Sequence, residues 1–139
     1  MLKPRRYWLL VMWLSKKQAT IETSVFGSEF VALKHGIGTV RGLRYKLRMM
    51  GVPIERAAFV YGDNLSVIRN SSRPESTLRK KSNEICYHFA RESSAMDETR
   101  MGHIATEENP ADLATKVIHG GYKRDHLVRK VLHYIADDD

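Results

Sequence analysis

One long stretch of this chain carries a helical rhythm. Between residues 26 and 50, Phe30, Leu33, Ile37, Val40, Leu43 and Leu47 recur at three- and four-residue intervals, the spacing that lines one face of a helix. Ser24 stands ahead as a cap, and Gly51 and Pro53 end the run. Gly36, Gly38 and Gly42 interrupt it; each costs about 1 kcal/mol relative to alanine, so this helix depends on packing. The remaining elements are shorter. Residues 7–14 are aromatic and partly β-branched, with the length of a buried strand. "SKKQ" turns the chain, and "ATIETS" alternates as a second or continuing strand does. Residues 57–61 predict a short strand and 65–69 the start of a helix. After the polar loop "NSSRPES", a basic helix is expected over 78–94, a weaker strand over 99–105 and a short helix over 110–117. Gly120 and Gly121 then break the chain before a last helix at 125–135. Strands, helix, strand, helices, strand, helix is the order of an α/β layered fold. With no repeat and no linker, residues 1–139 are expected to form a single domain.

Composition narrows the class. Of 139 residues, 42% are hydrophobic and 28% charged, which fits a globular protein and excludes a disordered one. The formal net charge is +7, although the last three residues are Asp137, Asp138 and Asp139. The body is therefore more basic than the total, and such a balance favours polyanionic partners, nucleic acid before a membrane surface. Cys86 is the only cysteine, so no disulfide or thiolate zinc site forms within the chain, and an intracellular setting, cytoplasmic or nuclear, is expected. The basic start and apolar run at 7–14 loosely imitate a secretory signal. The run is too short to span a bilayer, and lysines rather than a small-residue cleavage site follow it.

Three acids stand at element boundaries: Glu29 early in the long helix, Asp63 after the short strand, and Asp112 at the helix opened by "ENPAD". A two-metal site needs carboxylates delivered by different rigid elements onto one point, where two divalent ions clamp the attacking water and the leaving oxygen of a phosphodiester. Each acid also has a plainer role. Asp63 and Asn64 make a common turn and cap pair. In "NPAD", Asn109 caps, Pro110 suits the first helical position and Asp112 faces the helix dipole. Glu29 is an ordinary acid near a helix start. Spacing alone leaves both readings open.

The blocks "WLSKKQATIETSVFGSEFVALKHG", "VYGDNLSVI", "YHFARE" and "ENPADLATK" occur in this order. Together, over residues 13–116, they resemble the ribonuclease H domain that ends the polyprotein of copia-type retrotransposons. The resemblance implies a ribonuclease H-like mixed sheet flanked by helices, with residues 117–139 as a C-terminal helical extension. It also implies cleavage of the RNA strand of an RNA–DNA hybrid with two Mg²⁺ ions, and an upstream reverse transcriptase as a partner in the polyprotein. Matched by motif, the catalytic and metal-binding acids are Glu29 in "SEF", Asp63 in "DN" and Asp112 in "NPAD".

The chain also departs from that pattern. The family's first catalytic aspartate lies on its first strand, but here no aspartate precedes Asp63 and no acidic residue precedes Glu22. The first strand is expected to be missing. The histidine expected before "YHF" is replaced near Ser82. A truncated copy, weak or inactive in cleavage, is the expectation, with a basic, non-catalytic nucleic-acid-binding remnant as the alternative. Lys16, Lys17, Arg73, Arg79, Lys80 and Lys81 are the candidate phosphate contacts, equally well a solvated face in the case of the last three. Asn64 is placed to touch a 2′-hydroxyl. Tyr87 and Phe89 are expected in the core, and His88, His103 and His119 show no metal-ligand spacing.

Overall fold

The computed structural model describes residues 10–15, 17–18, 25–73 and 84–132. It is a mixed α/β structure whose elements fall into two compact units. The larger spans Gln18–Ile104; the smaller comprises Met1–Lys17 with Ala105–Asp139.

Two parallel strands, β1 (Ala58–Gly62) and β2 (Thr99–His103), form the sheet of the larger unit. Ala58 pairs with Thr99 and Gly62 with His103. Flanking bonds from Ala58 N–H to the Glu98 carbonyl and from Ile104 N–H to the Gly62 carbonyl, both 3.0 Å, extend the ladder. Parallel strands need a long crossover. It is supplied by the chain that carries α2 (Leu65–Ser72) and α3 (Glu84–Ala95). β1 alternates: Val60 packs against the core, while Phe59 and Tyr61 point to solvent and stack on each other with centroids 6.2 Å apart. Such period-2 burial is what a half-covered strand requires.

The helical rhythm folds as α1 (Val25–Met49). Phe30, Leu33 and Ile37 enter a core shared with Val67 of α2 and Tyr87 and Ala90 of α3. Phe26, Val60 and Met101 pack against its margin. The stripe does not stay buried: Leu43 is exposed and Val40 and Leu47 are half-buried. α1 outruns the two-stranded sheet beneath it. A Cβ added at Gly36, Gly38 or Gly42 meets nothing within 4 Å, so no close packing demands these glycines. α1 closes with Gly51 at φ 78°, its N–H bonded to the Arg48 carbonyl and that of Val52 to the Leu47 carbonyl, a Schellman motif.

Several expectations are corrected. The strand expected over 7–14 is absent from its described part: Leu10 to Leu14 have no regular structure and are exposed, Val11 and Trp13 at 73%. An apolar run becomes a strand only beside another strand, and among the described residues none flanks it. The second strand expected at "ATIETS" lies outside the described residues. So does the first part of the basic helix, whose described portion begins at Glu84.

In the smaller unit a 3-10 turn (Thr106–Glu108) leads to α4 (Asp112–Thr115) and α5 (Tyr122–Val131). α4 is shorter than the expected 110–117, and α5 starts three residues earlier than 125. Gly121, at φ 141°, marks the break. Leu127 of α5 is fully buried and Asp112 almost so. Among the described residues no helix is long and apolar enough to cross a membrane.

Candidate functional site

The strand-end acid sits at a sharp exit from the sheet. β1 stops at Gly62, where an added Cβ would lie 3.2 Å from the Ile68 side chain. Asp63 follows, half-buried, and then Asn64 caps α2. The Asn64 Oδ1 accepts from the backbone N–H groups of Ser66 at 3.1 Å and Val67 at 3.3 Å, satisfying two of the orphan donors of a helix start. Capping therefore falls to Asn64. Among the described residues no partner reaches the Asp63 carboxylate. The capping oxygen of Asn64 is committed, so a contact to a 2′-hydroxyl is left to its amide nitrogen.

Glu29 is half-buried in the second turn of α1. Its height relative to Asp63 follows from contacts farther along the helix. Phe30 meets Tyr87 in the first turn of α3, with centroids 6.1 Å apart. Arg41 lies over the ring of Phe89 at 4.4 Å and contacts Glu98, at the entry of β2, at 2.6 Å. α1 thus runs alongside α3 in the same sense and opposite to the strands. Going back from Arg41 to Glu29 covers about 18 Å of helix axis. Going forward from Ala58 to Asp63 covers about 16 Å of strand. Glu29 and Asp63 stand at the same end of the sheet.

Asp112 belongs to the smaller unit, where its environment is of a different kind. Its side chain is 3% exposed, and both oxygens are taken. Lys116 Nζ lies 2.9 Å from Oδ1 and Lys123 Nζ 3.3 Å from Oδ2. The local fold prepares this. Asn109 Oδ1 accepts from the Ala111 N–H at 3.1 Å, turning the chain so that Asp112 opens α4. One helical turn later Lys116 falls beside it, the i,i+4 geometry. In the same unit Glu108 receives Lys130, and His126 at 2.8 Å. The Lys130 hydrogen bond, helped by His126, holds the Glu108 carboxyl below its ordinary value.

A two-metal centre needs free carboxylate oxygens from several elements. Here one of the three candidates has both oxygens on ammonium groups. Among the described residues no three His, Cys, Asp or Glu side chains gather into a group able to hold a metal ion. Asp112, as its two lysines hold it, leaves no oxygen free for a Mg²⁺ ion. Of the candidate nucleic-acid contacts, Lys17 and Arg73 are exposed, Arg73 ending α2 with its N–H on the Arg69 carbonyl. Lys16, Arg79, Lys80 and Lys81 lie outside the described residues.

No protein-family model and no solved structure matches the chain. Curated relatives do. It is 30% identical over 108 residues, 78% of its length, to the Retrovirus-related Pol polyprotein from transposon TNT 1-94 of Nicotiana tabacum. Over 106 residues, 76% of its length, it is 26% identical to that from transposon RE1 and 24% identical to that from transposon RE2, both of Arabidopsis thaliana. The chain is related to copia-type retrotransposon Pol polyproteins. It spans 8% of the first of these relatives and 7% of the other two.

In this Pol-related chain, sequence reasoning passed over the lysines that define the surroundings of Asp112. Lys116 carried a signal, four residues after the acid on a predicted helix. Lys123 carried none, because the Gly120–Gly121 break separates it from Asp112. Arg41 and Glu98 were likewise missed, being 57 residues apart.

Proposed function

We propose that the chain is a ribonuclease H-like domain of a copia-type Pol polyprotein. Its ancestors cleaved the RNA of RNA–DNA hybrids by two-metal hydrolysis. This 139-residue chain, on its own, binds a hybrid and cuts it weakly or not at all. The four ordered sequence blocks support the ancestry, as does the relation to Pol polyproteins. A parallel pair of strands with an acid at the end of β1, and Glu29 at the same end, is consistent with it. The net charge of +7 supports a polyanionic partner. The polyprotein context supplies a second partner, the reverse transcriptase part of the same Pol chain.

The loss of cleavage rests on Asp112. Its carboxylate is buried and neutralised by Lys116 and Lys123. Two ammonium groups supply the positive charge that a metal ion would otherwise bring, and a third cation at the same oxygens would meet their repulsion.

The test uses the 139-residue chain, Mg²⁺ and a hybrid labelled on its RNA strand. Binding that weakens with salt is expected, together with cleavage at or barely above the level of the Asp63→Asn variant. Robust cleavage by the chain, abolished by Asp63→Asn, would overturn the reading, as would an absence of hybrid binding.

A further inference from the structure

At the other end of the larger unit, beside the entry of β2, α1 and the end of α3 enclose a cleft of about 350 Å³, within the size range of ligand pockets. Three arginines of α1 line it, Arg41, Arg44 and Arg48, with Tyr45 between them and Glu92, Met96 and Glu98 opposite. The spacing i, i+3, i+7 puts the three guanidinium stems on one helix face. Only Arg41 is paired, with Glu98 at 2.6 Å and more loosely with Glu92 at 3.9 Å. Among the described residues no carboxylate pairs with Arg44 or Arg48.

The helix dipole accounts for a cation in the last turn, where Lys46 and Arg48 lie. It does not account for Arg44, which is half-buried against the cleft a turn earlier. A guanidinium partly withdrawn from water without a carboxylate calls for an anion from elsewhere. Two guanidiniums one turn apart present planar, bidentate donors to neighbouring phosphates. Tyr45 and Met96, each 63% exposed at the rim, offer the apolar surface on which an unpaired base stacks. A duplex has no free base faces to use these side chains, whereas a single strand has.

We infer that this cleft binds single-stranded nucleic acid, with consecutive phosphates on Arg44 and Arg48 and a base against Tyr45. This site is separate from Glu29 and Asp63, at the opposite end of the sheet. The inference shares with the proposed function only the choice of nucleic acid as partner. Its residues include none of the earlier candidate contacts.

The test is fluorescence anisotropy with a labelled single-stranded oligonucleotide, as DNA and as RNA, titrated across salt concentrations. Arg44→Ala/Arg48→Ala should weaken binding at least tenfold and reduce the slope of log affinity against log salt by about 1.4, two contacts at about 0.7 each for a single strand. Arg48→Ala alone, at an exposed position, should take about half of that slope and needs no refolding of the core. Arg44→Lys/Arg48→Lys should restore most of it. Arg124→Ala/Arg129→Ala, in the smaller unit, is the control for net charge. An unchanged slope in the cleft variants, or an equal loss in the control, overturns the inference. So does displacement of the oligonucleotide by polyglutamate as readily as by unlabelled strand, which would assign the cleft to an acidic protein. A chain that binds a hybrid but no single strand overturns the cleft and leaves the hybrid reading standing. Equal binding of DNA and RNA is expected, because phosphates and base faces are common to both.

Discussion

Arg41 Nε and Glu98 Oε2 lie 2.6 Å apart, joining the middle of α1 to the residue that leads into β2. The contact is the head of a chain of hydrogen bonds. Ser93 Oγ donates to the same Glu98 oxygen at 3.2 Å, and the buried Thr99 hydroxyl donates to Ser93 Oγ at 2.9 Å. Helix α1, the end of α3 and the start of β2 are fastened at one point, and this point sets the height of Glu29 against the strands. The two side chains are 28% and 34% exposed, so solvent screens the pair in part. Glu98→Gln should cost about 1 kcal/mol of stability, with a coupling to Arg41→Met of about half that or more. Chemical denaturation of the four proteins of the cycle measures it; strict additivity would show that the two side chains do not support each other.

Gly102 faces Tyr61 across the sheet. A Cβ on Gly102 would sit 2.7 Å from Tyr61 Cε1 and 2.8 Å from Cδ1. The ring lies over the glycine, and cross-strand cover of this kind offsets the weakness of glycine in a strand. Gly102→Ala must push the exposed ring aside and should destabilise by about 1 kcal/mol. In a Tyr61→Ala background the same substitution should cost nothing or stabilise, since alanine restricts the unfolded chain. An equal cost in both backgrounds would mean that backbone conformation rather than the tyrosine requires glycine there.

Much of the fold was legible where side-chain period and burial coincide. The spacing of Phe30, Leu33 and Ile37 located α1 to within a residue or so, because all three are core residues. The short strand at 57–61 was found as Ala58–Gly62, its apolar run being bounded by turn residues. The run at 7–14 misled. Hydrophobicity reports a tendency to be buried, not the presence of a partner, and Trp13 lies in the open. The candidate acids were legible as residues at element boundaries, yet their surroundings were not. Whether Asp63 or Asn64 would cap α2 depends on backbone angles at the strand exit. Whether Asp112 would face solvent, metal or lysine depends on where α5 brings Lys123.

The acid limb of stability should carry a contribution from Glu108. Lys130 donates to its carboxylate, and His126 adds a hydrogen bond and charge, so its folded pKa lies below the ordinary 4.5. A depressed carboxyl binds protons less readily folded than unfolded. Its stabilisation is therefore fully present above the unfolded value and is lost as pH falls through the folded one. Glu108→Gln should melt below the wild type at pH 6, and the gap should close as pH falls below the ordinary carboxyl value. Melting temperatures across this range decide the point; a gap that persists in acid would have another origin.

The lysine clamp on Asp112 makes an asymmetric prediction. The carboxylate is buried, but Lys116 and Lys123 are 52% and 39% exposed. Removing the acid leaves neither ammonium group buried, so Asp112→Asn should cost about 1 kcal/mol. Removing both lysines strands a buried charge, and Lys116→Ala/Lys123→Ala should cost about 3–5 kcal/mol. The vacated oxygens then become available to a cation. Because a ligand that binds only the folded state stabilises by RT ln(1 + [L]/Kd), millimolar Mg²⁺ or Mn²⁺ should raise the melting temperature of the double variant and leave the wild type within about 1 °C. A wild type stabilised by metal as strongly as the variant would show that the lysines yield to the ion. The case for a chain that binds hybrids without cutting them would then lose the observation on which it rests.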